Sequence, residues 1–564
     1  MRTLDVALEA SPEEYELIGN RGYIAETMLK EVPPPCHPLS AQNKLIFATG
    51  PLANTGVPTA GRLSVGGKSP LTEGIKEANS GGIFAGHLVS NGIKAIIVED
   101  KPMDADLHVL VASETECQLV PCPELKGLGN YAVHERLRER FGKDAAIASI
   151  GPSGEEMMLT ASVFTSDLEG LPGAVCARGA MGCLMGSKGL KAIVVPEKGN
   201  YKIPIQDKEK FKQALKRYFQ TISEAPQTSE IYPKYGTSAA MDTFNQMGAL
   251  PTLNWRSGSF EQIDRIGKEA LYSTIKERGG EGETTHRCMP GCPVRCYNKY
   301  PDKDGRLIVS PLQYETMALM GSNLGISDLD AIARFNYLCN DIGVDTVELA
   351  IAIGMVMEKG LLRFGDPEDV TRVIEGIGSG DSFSKILSSG AVVTGKVFGI
   401  DRVPAVKGQG LPAHEPRAVK GMGVTLSMTP MGADHTTGVT FRQKVDHHKP
   451  DGQVDASLAV QLSTGGYDVL GICFFTATAV GTDPMLTANL VNAVYGTDHD
   501  GSLVNQLGKR VMLAEKSFNE AAGFTKAQDR LPEFFRKEKL PPFNLVYDVP
   551  QEEMDQFWDK VRRA

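Results

Sequence analysis

The chain has 564 residues, too many for one hydrophobic core, so we expect several domains. Hydrophobic residues make up 41% of the chain, and the net charge of -10 comes without any Lys/Arg-rich run, which argues against nucleic-acid binding. No apolar stretch approaches membrane length and no signal-peptide layout is visible, so we expect a cytoplasmic protein without a membrane span. In that compartment, ten cysteines favour metal binding over disulfides.

Residues 1–203 are predicted to form a β-rich domain. Short apolar runs bounded by Gly, Pro or charge predict strands at Lys44–Thr49, Lys94–Glu99, His108–Ala112, Ala145–Ile150 and Leu190–Val195. Helical periodicity dominates from there to the C-terminus, with predicted helices at Asp207–Ile222, Thr346–Lys359, Phe383–Val397 and Ser502–Ala522. A Gly- and Pro-rich stretch after residue 400 divides this helical part into residues 204–403 and 404–564. No repeat of 20–50 residues is visible.

Three glycine-rich segments interrupt the β-rich region, at Thr59–Pro70, Ala78–Gly82 and Cys176–Lys188. The first nearly spells a nucleotide-binding phosphate loop, but Arg62 stands where that motif needs its first glycine, so we do not expect such a loop. Paired glycines expose backbone N–H groups that can hold phosphate oxygens, and Arg178 adds a fixed cation. Each segment alone is explained by a tight turn; together with clustered cysteines they indicate a large phosphorylated cofactor.

Cys288, Cys292 and Cys296 lie in a short stretch that prolines and a glycine keep from forming a helix. Crowded thiols are typical of an iron–sulfur cluster or another soft metal site. Three ligands are one short of four, and Cys473 is the candidate for the fourth, although its apolar setting also suits an inert buried thiol. A zinc-stabilised, non-catalytic protein is an alternative, but zinc sites usually contain paired Cys-x2-Cys motifs.

The segment from Asp468 to Cys473 resembles an earlier one from Asn340 to Asp345. Both have the pattern polar-x-x-Gly-apolar-Asp/Cys. Two copies indicate a pseudo-symmetric grip on a ligand with two similar halves. Asp345, with Glu348 three residues on, also fits a capping box at the start of the next helix, and the two roles can coexist.

These motifs together resemble the tungsten- and molybdenum-dependent aldehyde:ferredoxin oxidoreductases, from about Asn43 to Pro542. The likeness includes Phe47–Leu52, Lys68–Thr72, Met185–Ile193, Ser322–Asp328 and Glu515–Phe524. In that family a single metal is held by the dithiolenes of two pterin cofactors, beside a [4Fe–4S] cluster. The resemblance therefore implies an α+β fold, in which a β-rich N-terminal domain seats the cofactor as a saddle and two mainly α-helical domains follow.

The resemblance also implies site residues, position by position. The cluster ligands are Cys288, Cys292, Cys296 and Cys473. Phosphate-side contacts of the pterins fall on Arg62, Asn79, Gly81, Arg178, Gly179 and Gly182, where Asn79 matches a residue associated with a Mg²⁺ ion that bridges the two phosphates. The loops that grip the pterins supply Asn340, Asp345, Asp468, Gly471 and Ile472. The active-site glutamate and histidine of the family match Glu315 and His435.

Three departures from the family pattern affect these expectations. The first cysteine spacing is Cys-x3-Cys where the family usually has Cys-x2-Cys, which affects the expected cluster geometry. Asn340 stands where the first pterin motif usually has Asp, so an acceptor is kept and a charge is lost. Thr437 replaces a lysine often found two residues after the active-site histidine.

The implied reaction is oxidation of an aldehyde to a carboxylic acid with water as the oxygen source. Glu315 would be the base that takes a proton from water, and His435 would orient it or shuttle the proton. Electrons would pass through the cluster to ferredoxin or to dedicated iron–sulfur subunits, and a homodimer is also expected. An alternative within the family is a catalytic subunit for a non-aldehyde substrate, such as reduction of an aromatic acyl-CoA. A radical S-adenosylmethionine enzyme would need a Cys-x3-Cys-x2-Cys spacing that is not found here.

Overall fold

Two β-sheets form the N-terminal part of the computed structural model, which describes residues 1–103 and 106–564. The first sheet contains β1 Leu45–Thr49, β2 Leu63–Lys68, β3 Ile75–Ser80 and β4 Ala95–Val98, in the order β3-β2-β1-β4. The second has the order β6-β5-β10-β7-β8-β9 and contains β5 His108–Ala112, β6 Cys117–Pro121, β7 Ala146–Ser149, β8 Val163–Thr165, β9 Ala174–Cys176 and β10 Leu190–Val195. All five predicted strands are present, within one residue of the predicted bounds.

The two sheets are built from two copies of one unit. The antiparallel order β3-β2-β1-β4 of the first sheet recurs as β9-β8-β7-β10 in the second, where the β5–β6 hairpin is added beside β10. Each unit opens with a helix that begins Gly-Asn and has another helix after its third strand; the helices of this region are α1 Asn20–Glu31, α2 Phe84–Ser90, α3 Asn130–Phe141, α4 Pro152–Glu155 and α5 Met181–Ser187. The copies begin at Asn20 and Asn130, a spacing longer than the repeats sought in the sequence.

The glycine-rich segment that resembles a phosphate loop is strand β2 rather than a loop before a helix. Its glycines permit close packing between strands: a Cβ atom on Gly67 would lie 2.3 Å from the Lys44 carbonyl oxygen. Residues Ala78–Ser80 of the second glycine-rich segment are the end of β3. Sequence alone missed β2 because glycine is rare in strands except where another backbone comes close. It missed β3 because Lys76, Glu77, Asn79 and Ser80 interrupt the apolar pattern of a strand.

The chain from residue 208 onward is mainly helical, which confirms the predicted α+β class. Its elements are α6 Lys208–Glu224, α7 Tyr232–Tyr235, α8 Ala239–Gln246, α9 Ile263–Ile266, α10 Lys268–Arg278, β11 Glu283–His286, β12 Tyr297–Pro301, β13 Leu307–Val309, α11 Tyr314–Leu319, α12 Leu329–Ile342, α13 Thr346–Glu358, α14 Pro367–Ser379, α15 Ser382–Leu387, α16 Ala391–Phe398, β14 Ala405–Val406, β15 Gln409–Gly410, α17 Lys420–Met428, α18 Gln453–Leu470, α19 Phe474–Val480, α20 Met485–Tyr495, α21 Leu503–Ala521, α22 Phe534–Lys537, α23 Gln551–Asp555 and α24 Phe557–Arg563. The helix predicted at Phe383–Val397 is divided in two at Gly390, whose φ of +88° a continuous helix does not allow.

Two large apolar cores hold the helices together. One runs from Met241 to Val561 and joins helices from both halves of the helical region. The other packs α1 against α6, α18, α20 and α21, and it includes the cysteines proposed as cluster ligands. The domain bounds 1–203, 204–403 and 404–564 stay predictions. In the described part of the chain, no single helix is long and apolar enough to cross a membrane; α18 and α19 meet the criterion only when joined, and they are bent by 114°.

The connection between α12 and α13 docks on the second sheet. Gly343 ends α12 with a φ of +93°, and Asp345 is the N-cap of α13. The carbonyl of Gly343 accepts a hydrogen bond from the Ser162 backbone N–H at 2.9 Å, and the Asp345 N–H donates to the Thr160 carbonyl at 2.8 Å. A Cβ atom on Gly151 would lie 2.1 Å from the carbonyl oxygen of the residue before Gly343.

The connection between α18 and α19 docks on the first sheet in the same way. Gly471 ends α18 with a φ of +72°, and Cys473 is the N-cap of α19. The Gly471 carbonyl accepts from the Arg62 backbone N–H at 3.3 Å, and the Cys473 N–H donates to the Thr59 carbonyl at 2.8 Å. A Cβ atom on Gly50 would lie 2.6 Å from the carbonyl of the residue before Gly471. The pseudo-symmetry predicted from the two motifs is therefore present in the backbone.

Candidate active site

Four buried cysteines converge from two segments of the chain. Cys288, Cys292 and Cys296 come from the loop between β11 and β12, and Cys473 from the start of α19. A hydrogen bond with Cys292 lowers the pKa of Cys288, but a hydrogen bond with Cys296, burial and the charge of Cys473 raise it well above its ordinary value. Hydrogen bonding to Cys288 and burial likewise raise the pKa of Cys292. Four thiols at one buried point fit the ligand set of a [4Fe–4S] cluster.

Glycines of the first sheet let the cysteine loop approach closely. The Gly82 backbone N–H donates to the Cys288 carbonyl at 2.7 Å. A Cβ atom on Gly81 would lie 3.1 Å from that carbonyl oxygen and 3.4 Å from the Cys288 sulfur. Gly81 therefore lies against the loop that carries the proposed cluster ligands. A larger residue at position 81 would push that loop away from the sheet.

A cavity of about 790 Å³ lies beside the cysteines. It brings together most of the predicted site: Arg62, Asn79, Arg178, Cys288, Cys296, Glu315, Asn340, Asp345, His435, Asp468 and Cys473. Six predicted residues do not line it: Gly81, Gly179, Gly182, Cys292, Gly471 and Ile472.

Packing explains two of the glycines that lie outside the cavity wall. A Cβ atom on Gly182 would be 2.4 Å from the Ser162 carbonyl oxygen, and one on Gly179 would be 2.3 Å from the Lys76 side chain. Ile472 is fully buried, and its backbone N–H donates to the Tyr467 carbonyl at 2.9 Å. These residues shape the backbone around the cavity.

Arg178 presents free donors at the polar end of the cavity. Its Nη2 donates to the Gly410 carbonyl at 2.6 Å, and its Nε lies 3.3 Å from Asp345 Oδ2. In the described part of the chain its buried Nε and Nη1 atoms have no hydrogen-bond partner, nor does Asp345 Oδ2. Buried donors without partners are rare in folded proteins, so this end of the cavity fits a polar, anionic group such as a cofactor phosphate.

Asp345 has both of the roles that its sequence suggested. Its Oδ1 accepts from the Val347 backbone N–H at 2.9 Å and so caps α13, while Oδ2 faces Arg178. The capping box is incomplete, because Glu348 does not bond back to the cap: its carboxylate accepts from the Ala391 and Gly410 backbone N–H groups. Burial raises the pKa of Glu348, although Arg178 opposes the shift.

Arg62 lies between the first sheet and the cysteines. Its Nε donates to Asn79 Oδ1 at 2.6 Å, and its Nη2 donates to the Asn79 carbonyl at 3.1 Å. Burial alone would lower the pKa of Arg62, but the nearby thiols of Cys473 and Cys288 raise it. A fixed cation next to the proposed ligands suits a cluster whose thiolates carry negative charge.

Asp468 is held from outside the cavity by Arg21, whose Nη1 lies 3.1 Å from Asp468 Oδ2. Arg21 also forms a two-pronged pair with Glu515, and the sequence analysis had not identified it. Burial and the neighbouring Glu77 raise the pKa of Asp468 to about 7 despite the arginine. Three buried carboxylates, those of Asp468, Glu515 and Glu77, therefore share the charge of Arg21.

Glu315 forms a triad with two histidines. Its Oε1 lies 3.1 Å from His414 Nε2 and 3.4 Å from His435 Nε2, and its Oε2 accepts from the Ala413 backbone N–H at 2.7 Å. Burial would raise the pKa of Glu315, but the imidazoles of His435 and His414 lower it to about 2. Burial lowers the pKa of His435 against the pull of Glu315, which favours a neutral imidazole. Both histidine Nδ1 atoms lack hydrogen-bond partners in the described chain.

Asp434 joins the triad to the polar end of the cavity. It forms a buried ion pair with Lys76 of β3, and its Oδ1 accepts from the Thr436 backbone N–H at 2.9 Å, which caps the turn that carries His435. Burial opposes ionisation of Asp434, but Lys76 lowers its pKa below the ordinary value. The position of His435 is thus determined by a charge pair that reaches back to the first sheet.

Sequence reasoning missed His414, Lys76 and Arg21. His414 lies in a Pro412–Pro416 stretch without regular spacing to Glu315 or His435, so nothing local indicated its role. A search for every histidine in a buried loop could have raised it, but only contact across about 100 residues of sequence assigns it to the triad.

Models of one protein family match almost the whole chain. Residues 1–197 match the aldehyde ferredoxin oxidoreductase N-terminal domain, and residues 213–561 match aldehyde ferredoxin oxidoreductase domains 2 and 3. The chain belongs to the aldehyde ferredoxin oxidoreductase family. This confirms the resemblance found in the motifs and makes the chain an oxidoreductase of a tungsten-containing family.

Curated proteins from three archaea are similar to this chain over most of their length. The tungsten-containing aldehyde ferredoxin oxidoreductase of Pyrococcus horikoshii is 32% identical over 558 residues, which cover 93% of this chain and 88% of that protein. The tungsten-containing aldehyde ferredoxin oxidoreductase of Thermococcus kodakarensis is 31% identical, and the match covers 96% of this chain and 91% of that protein. The WOR-like subunit of an aliphatic sulfonate oxidoreductase from Pyrococcus furiosus is 26% identical, and the match covers 76% of this chain and 72% of that protein.

A solved structure has the same fold. The active-site complex BamBC of benzoyl coenzyme A reductase, in complex with 1,5-dienoyl-CoA, superposes with a TM-score of 0.81 over 99% of this chain and 91% of that chain. The sequence identity is 18%, so this likeness concerns the fold.

Proposed function

We propose that this aldehyde ferredoxin oxidoreductase family member oxidises aldehydes to carboxylic acids. An aldehyde and one water molecule give one carboxylic acid, two protons and two electrons. The observation that carries the proposal is the Glu315–His414–His435 triad, which lines the same cavity as Arg178, whose Nη1 has no hydrogen-bond partner in the described part of the chain. Such a triad can take a proton from water next to a bound carbonyl.

The residues at the polar end fit a bis-pterin cofactor that carries tungsten or molybdenum. Arg178 and Asp345 would hold one half, while Arg62, Asn79 and Asp468 would hold the other, and Asn79 would lie near a bridging Mg²⁺ ion. The four cysteines would hold the [4Fe–4S] cluster. When bound, the metal supplies Lewis-acid polarisation of the carbonyl and accepts the electron pair. The fit rests on the orphaned Arg178 donors and on the four convergent thiols.

The geometry favours His435 over Glu315 as the group that takes the proton. Both oxygens of Glu315 already face a partner, whereas His435 Nδ1 has no hydrogen-bond partner in the described part of the chain and is open to accept a proton. If the histidine Nε2–H groups point at Glu315, the free Nδ1 atoms are the basic ones, and the neutral imidazole of His435 has the correct charge. Glu315 then orients both imidazoles, a division of roles different from the one expected from the sequence.

Electrons would leave one at a time through the cluster to a ferredoxin or a dedicated iron–sulfur subunit. Arg62 lies against Cys473 and Cys288, so its charge would tune the potential of that cluster. Homodimer formation remains part of the proposal.

The test begins with anaerobic purification from a host that supplies the pterin cofactor. We expect about one W or Mo and about four Fe per chain, as the proposed centres require, and viologen reduction with a panel of aldehydes. Zinc in place of iron, or no oxidation of any aldehyde by fully loaded protein, would refute the proposal.

Variants then separate the roles in the triad. Glu315→Gln and His435→Asn should each lower kcat by about 10²- to 10⁴-fold, the range expected for general acid–base groups. His414→Phe should lower it less, because one imidazole remains. Metal and iron contents should stay unchanged in all three variants, which shows that the loss lies in proton transfer.

A further inference from the structure

The cavity has a second, aromatic end. From the triad, the His414 ring contacts Phe244 with a centroid distance of 5.2 Å, and Phe244 contacts Phe441 at 5.0 Å. The guanidinium carbon of Arg442 lies 5.0 Å from the Phe441 ring centroid. Arg442 is therefore connected to the triad through two aromatic rings, Phe244 and Phe441.

Arg442 is half-buried in this wall and lacks an ionic partner. Its Nη2 donates to the Tyr232 hydroxyl, and its guanidinium carbon lies 5.4 Å from the Tyr232 ring centroid. Its Nη1 is buried and has no hydrogen-bond partner, and no carboxylate of residues 1–103 or 106–564 lies within 4.0 Å of the guanidinium. Burial of a guanidinium N–H group without a partner costs free energy, unless a ligand supplies the partner.

The other charges of the cavity do not neutralise Arg442. Each carboxylate in the wall already has a cationic or imidazole partner; the pairs are Glu315 with His414 and His435, Asp345 with Arg178, Asp434 with Lys76, and Asp468 with Arg21. A second cation lines the cavity, because the Lys268 ammonium belongs to its wall and lies 5.4 Å from the Tyr235 ring centroid. Among the described residues, Lys268 has no carboxylate within salt-bridge distance either.

We propose that the aromatic end binds a carboxylate at the far end of the aldehyde substrate. The aldehyde group would face the triad, the apolar body would lie along Phe244 and Phe441, and the carboxylate would pair with Arg442. A guanidinium matches a carboxylate with two parallel N–H donors, and Lys268 would add long-range attraction. The substrate class is thus aldehydes that carry a distant carboxylate, and this inference rests on the proposed aldehyde oxidation.

The test compares two aldehydes that differ in the anion. 4-Formylbenzoate has the carboxylate, and benzaldehyde lacks it. Their intrinsic reactivities differ, so the quantity to compare is the ratio of the two kcat/KM values in each variant. In Arg442→Met this ratio should fall about 10- to 100-fold relative to the wild type, the range for loss of a charged hydrogen bond, because only 4-formylbenzoate loses a partner. Arg442→Lys should give a kcat/KM ratio between those of Arg442→Met and the wild type, because lysine keeps the positive charge and loses the paired donors.

Arg265→Met is the matched control. Arg265 is exposed, belongs to α9 and does not line the cavity, but its removal changes the net charge by the same amount. The ratio should stay at its wild-type value in this variant. An unchanged ratio in Arg442→Met, or equal losses for both aldehydes, would overturn the inference and leave the proposed function intact.

If the loaded wild-type enzyme oxidises neither of these two aldehydes, equilibrium binding decides the inference, and the proposed function is judged by the whole aldehyde panel. Calorimetric titration with terephthalate should give a Kd at least about tenfold weaker for Arg442→Met than for the wild type and Arg265→Met. Equal affinities in all three proteins would overturn the carboxylate site. A circular dichroism spectrum and a thermal midpoint like those of the wild type would show that Arg442→Met is folded.

Discussion

The connections Asn340–Asp345 and Asp468–Cys473 have the same backbone and different chemistry. In each connection a glycine with positive φ ends the first helix, and the residue two positions later is the N-cap of the next helix. Each connection also makes the same pair of backbone hydrogen bonds to a sheet. The side chains at the ends differ: Asp345 faces Arg178, whereas Cys473 joins the other cysteines beside Arg62.

The difference shows how a duplicated scaffold can serve an asymmetric task. Backbone geometry is shared because both connections dock on copies of one sheet unit. Side chains at the equivalent positions are free to differ, so one half offers a carboxylate and the other a thiol. We infer that one half mainly positions the cofactor, and that the other also carries electrons away from it.

The largest effect is expected from a comparison of two single substitutions, Asp345→Ser and Cys473→Ser, at the ends of the two connections. A serine hydroxyl can cap a helix, so Asp345→Ser should keep α13 and lose only the charge opposite Arg178. Cys473→Ser removes a proposed cluster ligand, and iron should fall well below about four per chain with loss of the visible absorbance. Asp345→Ser should retain iron and lose about tenfold in activity, comparable with loss of a residue that supports a metal site.

Cys339→Ser is the control for this pair. Cys339 is buried in the helical core, and it is not one of the four convergent thiols. Its replacement should leave the iron content unchanged. Iron loss in Asp345→Ser, or full retention in Cys473→Ser, would show that the two halves do not differ as proposed.

The second prediction concerns the glycines under the two connections. An alanine Cβ would lie 2.1 Å from a carbonyl oxygen in Gly151→Ala and 2.6 Å in Gly50→Ala. Both substitutions should lower the free energy of unfolding, by about 2–3 kcal/mol for Gly151 and less for Gly50, since overpacking displaces the connection. Denaturant titration of the variants measures these losses in unfolding free energy and shows which one is larger. Gly86→Ala, where a Cβ would meet no atom within 4 Å, should lose nothing; an equal loss there would refute the packing argument.

The third prediction compares the asparagines that open the two units. Asn20 Nδ2 donates to the Arg62 carbonyl at 2.9 Å, and Asn130 Nδ2 donates to the Asn340 carbonyl at 2.8 Å. Alanine at either site should cost about 1 kcal/mol in unfolding free energy per lost hydrogen bond. Asn20→Ala should cost about 1 kcal/mol more, because the φ of residue 20 is +44°. Asn20→Gly should recover that extra loss; if it does not, the backbone conformation is not the cause.

The smallest expected effect is a pH dependence of stability that comes from the connection Asp468–Cys473 and not from Asn340–Asp345. Asp468 has a folded pKa of about 7, above its ordinary value of 3.8, so the folded state holds a proton that the unfolded state releases. Its contribution to stability is therefore greatest below about pH 4 and falls as the pH rises to about 7. Asn340 stands at the equivalent position and does not titrate.

Thermal midpoints between pH 5 and 8 measure this effect as a difference in slope. The midpoint of the wild type should decline with rising pH relative to that of Asp468→Asn, and the two curves should run parallel above about pH 7. Asn340→Ala should follow the wild-type slope. Equal slopes for the wild type and Asp468→Asn would mean that another carboxylate holds the proton.

Much of the fold was predictable because its signals are local. The apolar runs of β1, β4, β5, β7 and β10 are bounded by breakers, and the periodic helices α6, α13 and α21 lie within two residues of their predicted bounds. Strand β2 was missed because Gly66 and Gly67 replace the usual strand formers, and strand β3 was missed because its residues are mostly polar. The duplication was missed because its copies share hydrogen bonds and strand order rather than an evident sequence pattern.

The sequence by itself determined the donor types of this protein: clustered cysteines, two glycine-centred connections and a carboxylate–histidine pair in a recognisable family. Only the tertiary structure decided which groups meet. His414 joins Glu315 from a distant loop, Lys76 holds Asp434 from another domain, and Arg442 has no carboxylate partner among residues 1–103 and 106–564. The physical reason is that electrostatic and proton-transfer interactions act over a few ångströms in space, whatever the separation along the chain.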